Sequence, residues 1–570
     1  MLAIVHKRED NGKYLVGVYC AGYMWPRDAE LRRKLEVKEP KNYLQELGSA
    51  RRHYWTVEEI RNQIATGLPV YGSTDTDIVC YENYQSCIET ERVLLGLLDG
   101  FTNTEKLFEY TAVNGPKSFA YMHITDDVLS DALTEIHVPT CVTLVSFDLT
   151  GMQSFDSVEC VSLPDTLDKV TGSLKAFKGL RVLRFSDRLK GLPKGFCTGL
   201  QEIQNAVLPK DLLTVGAECF KGCTQLTHVD LPKGLLEIQT AAFSGCEALQ
   251  DVVLPSSLRR LDGHAFYKTG IRSVKIPMHV TMLGSPFAEC NNLEAAYLPT
   301  CTAQDAHIGA QTNRNETMGV FAKCAALKHV VVYGRKPTFR VRALEELPAL
   351  EHVELPDTLK SIPTMAFRND KALQDIQLPG SLYSISPSAF EGCGLIEIVV
   401  PEGTALIYDK AFSDCCNLVT AVLPKSLKSL EYSAFNGCKA LKKLTFGGPE
   451  FHIARTSHSA GKVAFLLPNL EWLHLTGDVR SDTDKCTIGP FRRLRRLTMD
   501  DCVEYIDMLD LSDNSLEELY ISESLNPDCV SCILWQSYPN LVLTVKGTAR
   551  CIDTVRLLCS MHKIKELCII

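Results

Sequence analysis

Three stretches decide the fold: Leu226-Thr-His-Val229-Asp-Leu231-Pro232, Leu249-Gln-Asp-Val252-Val-Leu254-Pro255 and Ile271-Arg-Ser-Val274-Lys-Ile276-Pro277. Each reads as L-x-x-V-x-L-P, and the pattern returns at Leu293 to Pro299, Leu373 to Pro379 and Leu418 to Pro424. Close variants occupy Leu133 to Pro139, Val158 to Pro164 and Ile203 to Pro209. Followed by its central residue, the unit runs through Ile136, Val161, Leu183, Ala206, Val229, Val252, Val274, Ala296, Val330, Val353, Ile376, Ile398, Ala421, Leu444, Leu473, Leu497, Leu519, Leu543 and Leu567, nineteen in all. Most steps are 22 to 25 residues, which is the length of one supersecondary unit and too short for an independent domain. Alternation at V-x-L predicts a short strand with two side chains directed into a core. The proline that follows has no backbone donor and ends the ladder there, so each unit is expected to contribute one brief strand.

The offsets between strands are equally regular. Three, six and eleven places beyond the proline stand Leu212, Val215 and Phe220, then Leu235, Ile238 and Phe243, then Leu258, Leu261 and Phe266. The same spacing gives Leu359, Ile362 and Phe367, Leu382, Ile385 and Phe390, and Leu427, Leu430 and Phe435. Neither a lone helix nor a lone strand produces that spacing. Stacked copies of one coil do, because each apolar position then lies over its counterpart about 4.8 Å away. Phenylalanines 220, 243, 266, 367, 390, 412 and 435 are expected to form an aromatic spine. Gly and Cys follow many of them, as in Phe243-Ser-Gly-Cys246 and Phe435-Asn-Gly-Cys438, where Gly permits a sharp return and Cys fills a small interior space.

At these residues the chain resembles the leucine-rich-repeat superfamily, and within it the BspA-like class, over about residues 130 to 570. The shared element is L-x-x-L-x-L. The class-specific ones are the proline closing the strand and the A-F-x-G-C turn, here Ala242-Phe243-Ser-Gly-Cys246 and Ala434-Phe435-Asn-Gly-Cys438. The resemblance implies an α/β-type repeat solenoid with a parallel β-sheet on one face. It also implies proteins displayed on microbial cells and engaged in adhesion, hence a cell-surface or secreted location.

Three segments are expected: a small α+β domain over 1–128, regular repeats over 129–446, and divergent repeats over 447–570 that continue the same solenoid. Strand-like Met1 to Val5 and Tyr14 to Tyr19 flank Asp10-Asn11-Gly12, a hairpin signal. Thr56-Val-Glu-Glu59 reads as a capping box opening a helix to about Ala65, and a second helix is expected around Glu89 to Leu98. Two insertions break the period. Thr300 to Gly319 is polar and should project as a loop, and Gly447 to Lys462 carries His452, Arg455 and His458. The chain stops on a strand, Ile564 to Ile569, whose open edge suggests self-association.

A formal charge of -9 disfavours a nucleic-acid partner, which selects basic surfaces. No apolar run reaches the roughly 18 residues of a bilayer span. Charges begin at His6, Lys7 and Arg8, too early for a secretory signal, which points to the cytoplasm. The 23 cysteines are odd in number and several share one repeat position, so buried free thiols are expected. The one C-x-x-C, Cys529 to Cys532, has no second pair at metal spacing and is read as buried structural thiols.

No zinc-protease, nucleophile-elbow, phosphate-loop or dinucleotide motif is present, so no catalytic, cofactor or metal residue is assigned. The leading expectation is a non-enzymatic protein-binding scaffold. Its candidate contacts are the outward strand residues Tyr297, His329, His352, Trp472, His474, Arg495, Arg496 and Tyr520, because aromatic and Arg side chains on a preformed surface make interface hot spots. His329 and His352 fall on adjacent coils and should approach closely. The acids Glu351, Glu354, Asp375, Glu397, Glu517 and Glu518 share that face and suit a basic partner. The alternative reading is an enzyme or effector whose activity lies in residues 1–128, with the repeats choosing its target. A third is a self-assembling filament.

Overall fold

The computed structural model describes residues 2–8, 14–19, 54–55, 119–125, 134–138, 142–149, 154–302, 304–305, 319–449, 451–454, 463–465, 467–481, 486–506, 509–511 and 516–570. The chain forms two compact units, Met1–Ile271 and Arg272–Ile570. In the first, strands Glu135–His137, Cys160–Ser162 and Val182–Arg184 pair in parallel, as do Asn205–Val207 and His228–Asp230. In the second, Ser273–Lys275, Ala295–Pro299, His329–Tyr333 and His352–Glu354 form a four-stranded parallel ladder. Glu397–Val399, Thr420–Val422, Lys443–Phe446, Trp472–Leu475, Arg496–Met499, Glu518–Ile521, Tyr538–Val545 and Ile564–Ile569 form an eight-stranded one.

Register puts the central residues of the sequence repeat opposite one another, from Ile398 through Leu444 and Leu473 to Leu567. Of all nineteen central side chains, only Val353 and Leu567 are not fully buried. The stacked-coil reading and the parallel sheet are therefore the observed architecture.

Three details differ from the expectation. Most coils carry two strands, not one. A second, two- or three-residue strand at the position six places after the proline builds its own parallel ladder: Gly191–Leu192, Thr214–Val215, Glu237–Ile238 and Arg260–Leu261 in the first unit, and Ser361–Ile362, Ser384–Ile385, Leu406–Ile407 and Ser429–Glu431 in the second. Conversely, the segments around Val252 and Ile376 bury their central side chains but form no strand, so burial rather than the ladder holds those coils in place. Helix is also scarce. Among the described residues it comprises Pro527–Ile533 and Ile552–Met561, both in the last coils, and elsewhere the return path is turn.

The phenylalanine turn is the most regular part of the return path. Phe220, Phe243 and Phe266 stack at 5.3 and 5.2 Å with interplanar angles of 4° and 7°. In the second unit Phe367, Phe390, Phe412 and Phe435 stack at 5.1, 5.4 and 5.2 Å. Phe287 and Phe321 add a stacked pair at 5.8 Å that the spacing rule passed over. The backbone here also bonds coil to coil. Phe220 N–H donates to Ala242 O at 2.7 Å, and Gly222 N–H to Ser244 O at 2.7 Å. To aim alternate N–H groups at the next coil, the residue two places after the Phe turns left-handed, with φ of 73° at Gly222 and 77° at Gly437. That conformation is why glycine recurs there. The cysteine one place further on donates its thiol to the preceding coil's Phe carbonyl: Cys246 to Phe220 at 3.2 Å, Cys393 to Phe367 at 2.7 Å, Cys415 to Phe390 at 3.0 Å and Cys438 to Phe412 at 3.0 Å.

Near the N-terminus, strands Leu2–Arg8 and Tyr14–Tyr19 pair antiparallel, with Tyr54–Trp55 added to the second. The helices expected at Thr56 to Ala65 and Glu89 to Leu98 lie outside the described residues. Strand Phe119–Thr125 pairs in parallel with Val142–Asp148. Residues 306–318 of the first insertion, and Arg455 and His458 of the second, also lie outside them. His452 is not in a projecting loop: His452–Ala454 is a strand that extends the second ladder beside Ser429–Glu431.

Candidate protein-binding surface

Residues flanking each central position point out of the sheet, and parallel register aligns them in rows. One row of the eight-stranded sheet brings Lys443, Trp472, Arg496 and Glu518 side by side, and the next aligns Thr445, His474, Thr498 and Tyr520. The Trp472 indole lies between two cations, with Lys443 Nζ 5.6 Å and Arg496 Cζ 5.9 Å from its ring centroid. Each such contact contributes roughly 0.5–1 kcal/mol when exposed. Its Nε1–H donates to Thr498 Oγ1 at 3.2 Å, and the same hydroxyl lies 2.9 Å from His474 Nδ1. Arg496 in turn grips Glu518 through Nε at 2.6 Å and Nη2 at 2.8 Å, a forked pairing that fixes the guanidinium plane.

Around this centre the polar groups are interlocked. His474 Nε2 stands 3.4 Å from Asp500 Oδ1, while Asp500 Oδ2 accepts from Lys425 Nζ at 2.8 Å. Tyr520 donates its hydroxyl to Asp501 Oδ1 at 3.2 Å, and burial followed by the Asp501 charge raises its pKa above that of a free phenol. Asp501 also pairs with Lys546, and that bond holds the Asp501 carboxyl below the usual carboxylate range. Trp472, His474 and Tyr520 are accordingly half-buried, whereas Arg495 and Arg496 are exposed. Arg495 makes only a 3.8 Å pairing with Glu517, the kind of exposed pair that contributes about 0–1 kcal/mol.

The remaining candidates occupy the four-stranded sheet. His329 and His352 are paired across neighbouring strands with ring centroids 5.1 Å apart and planes within 9°, so they meet as their positions predicted. Tyr297 is 41% exposed, with Lys275 Nζ 6.0 Å from its ring. The structure thus joins Trp472 and His474 at Thr498, sets Arg496 against Trp472 with Tyr520 on the next strand, puts Arg495 at their margin, and leaves Tyr297, His329 and His352 on the other sheet. Sequence reasoning missed Lys443, Thr498, Asp500 and Asp501. Laying the coils in register, with the 29-residue step between Leu444 and Leu473 counted, would have put Lys443 beside Trp472. Of the acids expected to make one negative face, Glu517 and Glu518 are paired with Arg495 and Arg496.

The C-x-x-C thiols are not buried as expected. Helix Pro527–Ile533 leaves Cys532 exposed and Cys529 half-buried. Among the described residues no three His, Cys, Asp or Glu are grouped to hold a metal ion, and no helix is long and apolar enough to cross a membrane.

These features define a parallel stacked-coil repeat protein with a structured outward face. Residues 190–314, 295–415 and 338–460 match the BspA type Leucine rich repeat region, in six copies. A leucine-rich repeat protein from Bacteroides ovatus is 16% identical, over 66% of this chain and 87% of that one, at a TM-score of 0.33. A leucine rich cell surface protein from Faecalibacterium prausnitzii is 22% identical, over 55% and 87%, at 0.27. A leucine-rich repeat protein from Eubacterium ventriosum is 19% identical, over 50% and 90%, at 0.26. No curated protein matches the chain.

Proposed function

We propose that the protein is a non-enzymatic scaffold that binds another protein along the strand face of its second unit, with Trp472 at the centre of the contact and adhesion as the setting. The observation that carries this reading is the mounting of Trp472. The indole is held between Lys443 and Arg496 and hydrogen-bonded to Thr498, yet it keeps part of its surface in solvent. A side chain already ordered on stacked strands loses little freedom when a partner covers it, so more of the contact energy appears as affinity. Arg496 beside it and Tyr520 two strands away are residue types that dominate interface energetics. The acid and base pairs around them supply a polar rim suited to specificity more than to raw affinity.

The test compares the full chain with a Trp472→Ala, Tyr520→Ala variant of unchanged thermal midpoint. Partners are recovered from host or microbial surface extracts, and their affinities are then measured with purified material. A central hot-spot aromatic contributes at least about 2 kcal/mol, so affinity for the true partner is expected to fall roughly thirtyfold. Equal recovery of every partner by both proteins would sink the assignment of this face.

A further inference from the structure

Among the described residues, the second-strand ladder has a missing rung after Thr281–Met282. In regular coils the inward residue of that strand offers its carbonyl to the next coil, as Ile362 O does to Ser386 N and Ile385 O to Tyr408 N, both at 3.0 Å. Met282 is the inward residue of strand Thr281–Met282. The following coil, which starts at Ala295–Pro299, has no second strand among the described residues. Its chain leaves at Thr300 and Cys301, and Cys301 bridges antiparallel to Thr338. The carbonyls of Met282 and Gly284 are met instead by Arg340, from one coil further on, through Nη1 and Nη2, the second bond being 3.4 Å.

Beside these bonds lies a cavity of about 210 Å³. Its inner wall is Arg340, only 7% exposed, which has no carboxylate partner among the described residues. Burial lowers the guanidinium pKa to about 10, the mark of a charge short of compensation. A buried cation facing neutral carbonyls alone is expensive. Met278, Val280 and Met282 line an apolar side. At the mouth, exposed Lys336 adds positive charge, while Asp305, accepting from Thr302 Oγ1 at 2.6 Å, opposes a second negative one.

We propose that this gap is a binding site for a small aliphatic monocarboxylate, whose charged end pairs with Arg340 and whose carbon chain lies on Met278, Val280 and Met282. The guanidinium has N–H groups beyond the two it gives to carbonyls, and their fork matches a carboxylate. The cavity has the volume of about seven liquid waters, at roughly 30 Å³ each, which admits a short chain and no polymer. This site stands apart from the protein-binding reading, and either can fail without the other.

The experiment is calorimetric titration of the full chain with sodium acetate, butanoate and hexanoate, with butanamide and inorganic phosphate as controls. Saturable one-to-one binding of butanoate is expected, tighter than acetate and absent for butanamide, and Arg340→Gln should weaken it at least about tenfold. Because Arg340 also holds two carbonyls, a variant filling the gap from the opposite wall, Val280→Trp, is measured beside it. Val280→Trp should abolish binding while keeping the thermal midpoint within a few degrees. No saturable carboxylate binding, equal binding of butanamide, tighter binding of phosphate, or undiminished binding by Val280→Trp would each overturn the proposal.

Discussion

Coils Glu397 to Phe446 and coils Glu518 to Ile569 contribute strands to the same eight-stranded sheet, yet they close behind it in different ways. In the former, the return path is a second short strand and a phenylalanine turn whose backbone bonds coil to coil, as Phe412 N–H does to Ala434 O at 2.8 Å. In the latter it is a helix. Asn526 caps the first by accepting from Asp528 N at 2.9 Å, and Pro527 occupies the first turn, where its missing N–H costs nothing. A helix satisfies its own backbone and meets the core only through side chains such as Val530, Ile533 and Val555. The inner row of the sheet therefore sets register, and the back is exchangeable provided something apolar is buried there.

The difference implies that the turn-backed coils suffer more from losing a back side chain. Phe412→Ala removes a ring stacked on both neighbours and should cost about 3–5 kcal/mol, whereas Val555→Ala should cost about 1.6 kcal/mol at roughly 0.8 per carbon. Hydrogen exchange of the flanking amides measures both. Equal losses would break the comparison.

Asp370 sharpens it. This carboxyl stands where the next coils place Cys393 and Cys415, wholly buried, with Oδ1 accepting from Leu347 N at 2.8 Å and Oδ2 unpartnered. Burial pushes its pKa well above the usual carboxylate value. The folded state then holds the proton more tightly than the unfolded chain. Stability is fully present below the unfolded pKa near 3.9 and is lost as pH rises from there toward the folded value, by at most about 1.4 kcal/mol per pH unit. Asp370→Asn keeps the acceptor and should flatten the dependence on pH of exchange at amides 367–393. An unchanged slope would show that Asp370 is not its source.

Smaller effects probe the turn backbone. Gly437→Ala forces a side chain into a φ of 77° and should cost about 1–2 kcal/mol. Lys410, already left-handed at φ 53°, should gain about 0.5 kcal/mol on replacement by Gly. Denaturant midpoints of the two variants should move in opposite directions.

The repeat was legible because a single period places Val229, Leu473 and Phe390 by the same rule, and stacking turns that rule into burial. The candidate face was legible in part: side chains flanking Leu473 and Leu519 had to point outward, but which neighbours meet them depends on a register that unequal coil lengths obscure. Two-residue strands such as Thr214–Val215 are too short to show alternation. The helix at Pro527 was readable from Asn526-Pro527-Asp528 and was passed over. Arg340 was not readable at all, since its partners lie 58 and 56 residues away across a coil with no second strand among the described residues.

The thiols bonded to phenylalanine carbonyls give the molecule an internal clock. Burial raises the pKa of Cys246 and Cys393 well above that of a free thiol, so almost none is present as the reactive anion. An alkylating reagent meets them only when a coil opens, whereas Cys416, Cys502 and Cys532 stand in solvent throughout. The order in which the hidden sulfurs acquire label is the order in which the coils come undone.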